Sequence, residues 1–204
     1  MKLFEVTNPK MTPELIEYLT SLHLLHKTTI SPSGKLIVDG DVTLLHTTTS
    51  IRFSFESVGG DFNCASTNIT SLEHAPQTVG GGFFCNNTKI TSLAGAPQSV
   101  GGDFNCALTD ITSLEGAPQT VGGSVNCTNT KITSLKGIHK THRNWKIGGV
   151  LYLPPACADI VGLTLIEGIK HIRIGNHEFD ISDHDPHSFQ EKLIDAGLRA
   201  QARM

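Results

Sequence analysis

Five cysteines are the first residues in this chain that could do chemistry. Four of them, Cys64, Cys85, Cys106 and Cys127, recur at intervals of 21 residues, and Cys157 stands apart. Thiols stacked in that way could hold a soft metal, or close disulfides between neighbouring segments. The competing reading is a small apolar residue filling one inward slot per repeat. Strict repetition favours the core reading, because a metal site needs converging ligands and breaks repeat symmetry. The second cluster runs from His177 to His187. His177, Asp180, Asp183, His184, Asp185 and His187 have the side chains to hold a divalent metal for hydrolysis. Their spacing matches no His-Glu-x-x-His helix. The same residues also suit a polar loop leading into a helix N-cap, with acids near the helix start. That second reading is preferred, and a metal-dependent hydrolase stands as the enzyme alternative. Gly59-Gly60 and its repeats resemble a phosphate-cradling loop, but no Gly-Lys-Ser/Thr follows and no helix opens there. No Ser/His/Asp or Cys/His constellation is identifiable. The chain is therefore read as a non-enzyme without a cofactor.

The elements that carry these residues follow from an internal repeat. Four uninterrupted rows of 21 begin at Val58, Val79, Val100 and Val121, and the fourth decays after Gly137. Phe62 and Cys64 are two apart, so both point inward from one strand. The same pair recurs as Phe83/Cys85, Phe104/Cys106 and Val125/Cys127. Ile69 and Leu72, with their equivalents, follow in the loop behind and fill the same core. These slots match the leucine-rich-repeat frame, with Gly59 in the first Leu slot and Thr67 in the Asn slot as departures. The Thr hydroxyl can bond backbone in the turn as Asn would. The Ala-Pro-Gln-Thr/Ser-Val-Gly-Gly segment carries the chain back to the next strand. A coil this short has no room for an outer helix, so an extended or 3₁₀ return is expected.

A single coil cannot bury its own apolar face, so the array needs ends. Residues 38–57 read as a degenerate first coil, because Val38-Asp39-Gly40-Asp41-Val42 matches Val58-Gly59-Gly60-Asp61-Phe62. Thr12-Pro13-Glu14 signals a helix start, and Leu15, Ile16, Leu19 and Leu22 predict a helix to about Leu25. Lys146–Tyr152 restarts a coil. Val161–Ile166 and His171–Ile174 read as further strands, and a last helix starts from Ser182 or Asp185 and runs through Phe189, Leu193, Ile194 and Leu198. The expected fold is an α+β solenoid: a leucine-rich-repeat parallel β-sheet of short coils with N-terminal and C-terminal helical caps. The expected parts are a cap and first coil at 1–57, four coils at 58–144, and closing coils with a helix at 145–204.

Composition narrows the function. The net charge is −3 and no long basic run occurs, which argues against a nucleic-acid surface. No apolar run approaches a membrane span. Met1–Thr7 has no apolar h-region and carries an early acid, so it does not read as a signal peptide. A cytoplasmic protein is expected. The Asn-x-Thr triplets at Asn68, Asn86 and Asn126 then read as by-products of the repeat.

The Gly-Ala-Pro-x-x-Val-Gly-Gly-x-Phe-x-Cys and Ile-Thr-Ser-Leu motifs resemble those of short leucine-rich-repeat proteins of tailed bacteriophages and some bacteria. The resemblance covers most of the chain, including Val38–Val42 and the closing helix from Gln190 to Gly197. It implies the solenoid fold, a viral origin, the host cytoplasm as location, and a host or viral protein as partner, with inhibition of a bacterial defence protein as one role. A virion or assembly component is an alternative, and self-association stays open.

In a solenoid the sheet face is the expected binding surface. Three columns face outward: Asp61/Gly82/Asp103/Ser124, Asn63/Phe84/Asn105/Asn126 and Ala65/Asn86/Ala107/Thr128. Phe84 breaks its column of Asn, and Leu108 breaks the column Ser66/Asn87/Leu108/Asn129. Phe84 and Leu108 are the candidate apolar anchors, flanked by Asp61, Asn63, Asp103 and Asn105. The basic stretch Lys140–Lys146, with His142, Arg143 and Trp145, is a second candidate surface, although Trp145 reads better as core.

Overall fold

The computed structural model describes residues 10–203. The Met1–Thr7 stretch lies outside them. Among the described residues the chain is a parallel-strand β-solenoid of about seven turns with few helices. Each central coil contributes two strands of two residues, one on each side of its glycine pair.

One sheet stacks Leu36–Val38, Phe55–Val58, Thr78–Val79, Ser99–Val100, Thr120–Val121 and Lys146–Ile147 in parallel. The other stacks Val42–Thr43, Phe62–Asn63, Phe83–Phe84, Phe104–Asn105, Val125–Asn126, Val150–Leu153 and His171–Ile174. The return segment expected to be extended or 3₁₀ is thus itself a hydrogen-bonded sheet. Two antiparallel strands close opposite ends. Thr28–Ile30 lies on Leu36–Val38, and His177–Asp180 lies on His171–Ile174.

Side chains repeat inward with the coil. Phe62, Phe83 and Phe104 stack with centroids 5.3 and 5.7 Å apart. Each such pair adds about 1 kcal/mol beyond its area burial. The Cys, Ile and Leu slots of all four rows are buried with them. The Thr67, Thr88 and Thr109 hydroxyls each donate to the Cys carbonyl three residues back at 2.7 Å, and Thr130 does so at 2.8 Å. A hydroxyl there satisfies a turn carbonyl that faces no strand.

The glycine pair sets how closely coils stack. A Cβ on Gly80, Gly101, Gly122 or Gly148 would lie 2.1 Å from the carbonyl oxygen of the equivalent glycine one coil back. Only hydrogen fits at these four positions, whereas Gly59, at the edge of the regular array, would meet nothing closer than 3.5 Å.

A helix stands at each end. Pro13–Ser21 starts at Thr12, whose hydroxyl accepts the Leu15 N–H, and stops short of the expected Leu25. Leu22 ends it, and His23 then takes a left-handed φ of 57°. Pro186–Asp195 starts at Asp185, whose carboxylate accepts the His187 N–H at 2.9 Å. Val161–Leu165, expected as a strand, is a 3₁₀ helix. Its five residues are too few for an apolar run to separate strand from buried helix. No helix among the described residues is long and apolar enough to cross a membrane.

Candidate functional site

Most polar residues of the outward columns are bonded within the fold. One Asp61 carboxylate oxygen accepts the Gly82 N–H at 2.6 Å, and one Asp103 oxygen accepts the Ser124 N–H at 2.7 Å. Asp41 does the same for Asp61, so these carboxylates tie each coil to the next. Asn63 and Asn105 accept the N–H two residues on, from Ala65 and Ala107, at 3.0 and 3.1 Å. These four candidates therefore carry a structural duty that sequence reasoning missed. The repetition of Asp and Asn at constant positions was the available signal.

Phe84 is half-buried, and it has a packing partner. A Cβ on Gly82 would lie 2.5 Å from Phe84 Cζ and 2.7 Å from Cε2. The ring therefore covers the space that an Asp side chain would fill in this column. The two departures from the repeat, Gly82 and Phe84, compensate each other.

Leu108 has no such compensation. Its column occupies a left-handed corner, with φ of 56° at Ser66, 55° at Asn87, 57° at Leu108 and 55° at Asn129. Asn tolerates this region, whereas a bulky residue there is an outlier. Leu108 is also 55% exposed, the most open large hydrophobic residue among those described. It bears two unfavourable terms, a left-handed backbone and a largely exposed apolar side chain. Its column neighbour is Asn87 rather than Phe84, so the two proposed anchors stand at separate positions, one in the sheet and one at the corner beyond it.

The residues from His177 to His187 are spread over several local contacts. His177 and Asp180 end the antiparallel strand. Asp180 accepts the Ser182 N–H at 2.8 Å and its hydroxyl, which holds the carboxyl below its usual range. Asp183 is likewise lowered, first by the Asp185 N–H and further by Lys192, whose Nζ is 3.3 Å away. The His184 Nδ1 sits 3.1 Å from the Thr164 carbonyl, Asp185 caps the helix, and His187 pairs with Glu191. Among the described residues no group of three His, Cys, Asp or Glu is placed to hold a metal. The five cysteines are free and buried. Burial pushes the Cys64 and Cys157 thiols up to about 12. Cys106 Sγ lies 3.7 Å from Cys127 Sγ, and this contact, with burial, raises Cys127 well above the usual thiol range.

The basic stretch occupies a break in the period. Thr120–Val121 pairs with Lys146–Ile147, a step of 26 residues where its neighbours step by 21. The spacing of Gly122-Gly123 to Gly148-Gly149 carries the same information in the sequence. The extra residues include a single helical turn, Ile138–Thr141, and line a groove of about 830 Å³. Trp145 is core, 2% exposed, and its indole N–H donates to the Pro118 carbonyl at 2.6 Å. Comparison with known proteins gives no relative: no family model, curated protein or solved structure matches the chain.

Proposed function

We propose that this protein is a leucine-rich-repeat solenoid, closed by helical caps, that acts by binding another protein. The inward Phe/Cys/Ile/Leu frame supports the repeat type. The terminal helices and antiparallel strands support the role of caps, since each covers an end that would otherwise expose core. The observation that carries the binding reading is Leu108: an exposed leucine held in a left-handed corner where two of its three column-mates are Asn. Strain and exposure combined at one residue mark a position kept for an external contact. The resemblance of the repeat motifs to tailed-bacteriophage proteins supports a viral origin, action in a host cytoplasm, and a bacterial defence protein as the target.

The test is paired capture from bacterial lysate, with the wild-type protein and a Leu108→Asn variant immobilised in parallel. One host protein retained by the wild type and lost from the variant is the expected outcome. Equal retention by both would remove Leu108 from the interface. Absence of any specific partner would overturn the binding reading.

A further inference from the structure

We infer that the groove formed by the lengthened coil is a docking site for an acidic peptide segment of a partner protein. Two departures from the repeat coincide there. The first is the lengthened step into Lys146–Ile147, which adds His142, Arg143 and Trp145 to the coil. The second is a change of charge: the slot filled by Glu73, Ala94 and Glu115 in the first three rows holds Lys136 in the fourth.

The inner side of the added segment is anchored. Ile138 and Trp145 are buried, and the Trp145 indole N–H is bonded to Pro118. The His142 ring packs on Trp145 with centroids 5.0 Å apart, and its Nε2 lies 3.0 Å from the Leu114 carbonyl. A carbonyl only accepts, so Nε2 carries the proton. Burial lowers the His142 pKa, against smaller opposing effects of the Leu114 carbonyl and Glu115, and the ring is neutral at neutral pH.

The outer side is what remains free. Lys136, Lys140 and Arg143 are exposed and line the groove. No carboxylate among the described residues lies within ion-pair distance of any of the three, whereas Lys131 and Lys192 are paired at 2.9 and 3.3 Å. Glu115 is the one acid in the lining. Three cations with no carboxylate partner among the described residues, in a chain of net charge −3, make a local field opposite in sign to the whole.

Charge complementarity selects the occupant. A nucleic-acid strand would want aromatic faces for base stacking, and the only tryptophan is buried with its N–H consumed. A continuous phosphodiester would also meet Glu115. An extended peptide can set separate carboxylates against Lys136, Lys140 and Arg143, and can turn an amide N–H toward Glu115. This inference extends the protein-binding reading by giving the chemistry of one partner segment. It does not rest on Leu108.

Trp145 is the sole tryptophan and forms the groove's inner wall, so its fluorescence reports locally. Titration of the full chain with hexaglutamate peptide at low salt is expected to give a saturable change in Trp145 emission that weakens as salt rises. The Lys140→Glu/Arg143→Glu variant should lose at least about tenfold in affinity. A Lys89→Glu/Lys170→Glu variant makes the same change in net charge elsewhere and should bind like wild type. Leu108→Asn should also leave the titration unchanged, so failure of either surface is read separately. Absence of a saturable change, equal losses in both charge-reversal variants, or tighter binding of oligothymidylate or inorganic phosphate than of hexaglutamate would each overturn the inference. Matching melting temperatures of the two charge-reversal variants establish that losses are local.

Discussion

Replacing Leu108 by Asn is expected to make the protein more stable. An L-residue in the left-handed region costs about 1–2 kcal/mol, and Asn recovers most of that through local hydrogen bonding. Against this gain stands the apolar surface that Leu108 still covers. The residue is 55% exposed, so the difference in burial between it and an Asn is worth under about 1 kcal/mol. An Asn at 108 would also continue the side-chain ladder begun by Asn87, whose amide donates to Ser66 Oγ at 3.1 Å. An exposed bond of that kind adds about 0.5 kcal/mol at most. The net expectation is a gain of about 0.5–1 kcal/mol, or roughly 2 °C in melting temperature for a chain of this size.

The repeat supplies the reverse experiment. Asn87 occupies the same corner with φ of 55°, and Asn87→Leu should destabilise by about 1 kcal/mol. Urea unfolding of both variants beside the wild type reads a contrast of roughly 2 kcal/mol between them, well above the error of midpoints compared at constant slope. A Leu108→Asn protein less stable than wild type by about 0.5 kcal/mol or more would refute the reasoning. It would mean that the leucine packs favourably on the coil, and the case for an external contact would fall with it.

Three further expectations follow from other columns. Gly101→Ala places a Cβ 2.1 Å from the Gly80 carbonyl oxygen, so two coils must part; a loss of about 3 kcal/mol, near 10 °C by calorimetry, is expected. The buried thiols, with Cys64 raised to about 12, should resist iodoacetamide at neutral pH and react only on unfolding; mass spectrometry of the native protein checks this. Burial holds the His142 pKa below its ordinary value near 6.5, so the unfolded chain takes the proton first as the pH falls. The stability His142 contributes is thus present above about pH 6.5 and lost as the pH drops through its lowered value; urea midpoints at about pH 7 and pH 5 should differ less in His142→Gln than in wild type.

What could be read from the sequence was whatever a single coil decides for itself. Phe62 with Cys64, and Ile69 with Leu72, are inward because of spacing alone, and Asp185-Pro186 caps a helix by local chemistry. The second sheet was harder, since Thr78–Val79 and its equivalents are two-residue strands with no alternation to detect. Their order comes from backbone bonds to neighbouring coils. The duties of Asp61 and Asp103 were hidden for the same reason: each carboxylate bonds a residue 21 positions on. Outward-facing described the direction of those side chains correctly and left their partners unseen. At the candidate site, the apolar breaks at Phe84 and Leu108 were visible, but only the structure separates the one resting on Gly82 from the one left mostly exposed at a left-handed corner.

That separation gives a general way to read departures in a repeat. A change that another change offsets within the same coil, as Gly82 makes room for Phe84, is explained by packing and needs no partner. A change that no other residue offsets keeps its energetic cost and so needs a reason outside the fold. Leu108 is one such case. The lengthened coil is another, because its inner residues are fully used by Trp145, His142 and Ile138 while Lys136, Lys140 and Arg143 are bonded to no carboxylate among the described residues. The same criterion sets aside the His177–His187 segment. There Asp180, Asp183 and Asp185 each serve neighbouring N–H or hydroxyl groups, and these three carboxylates are accounted for by the turn and the helix it begins.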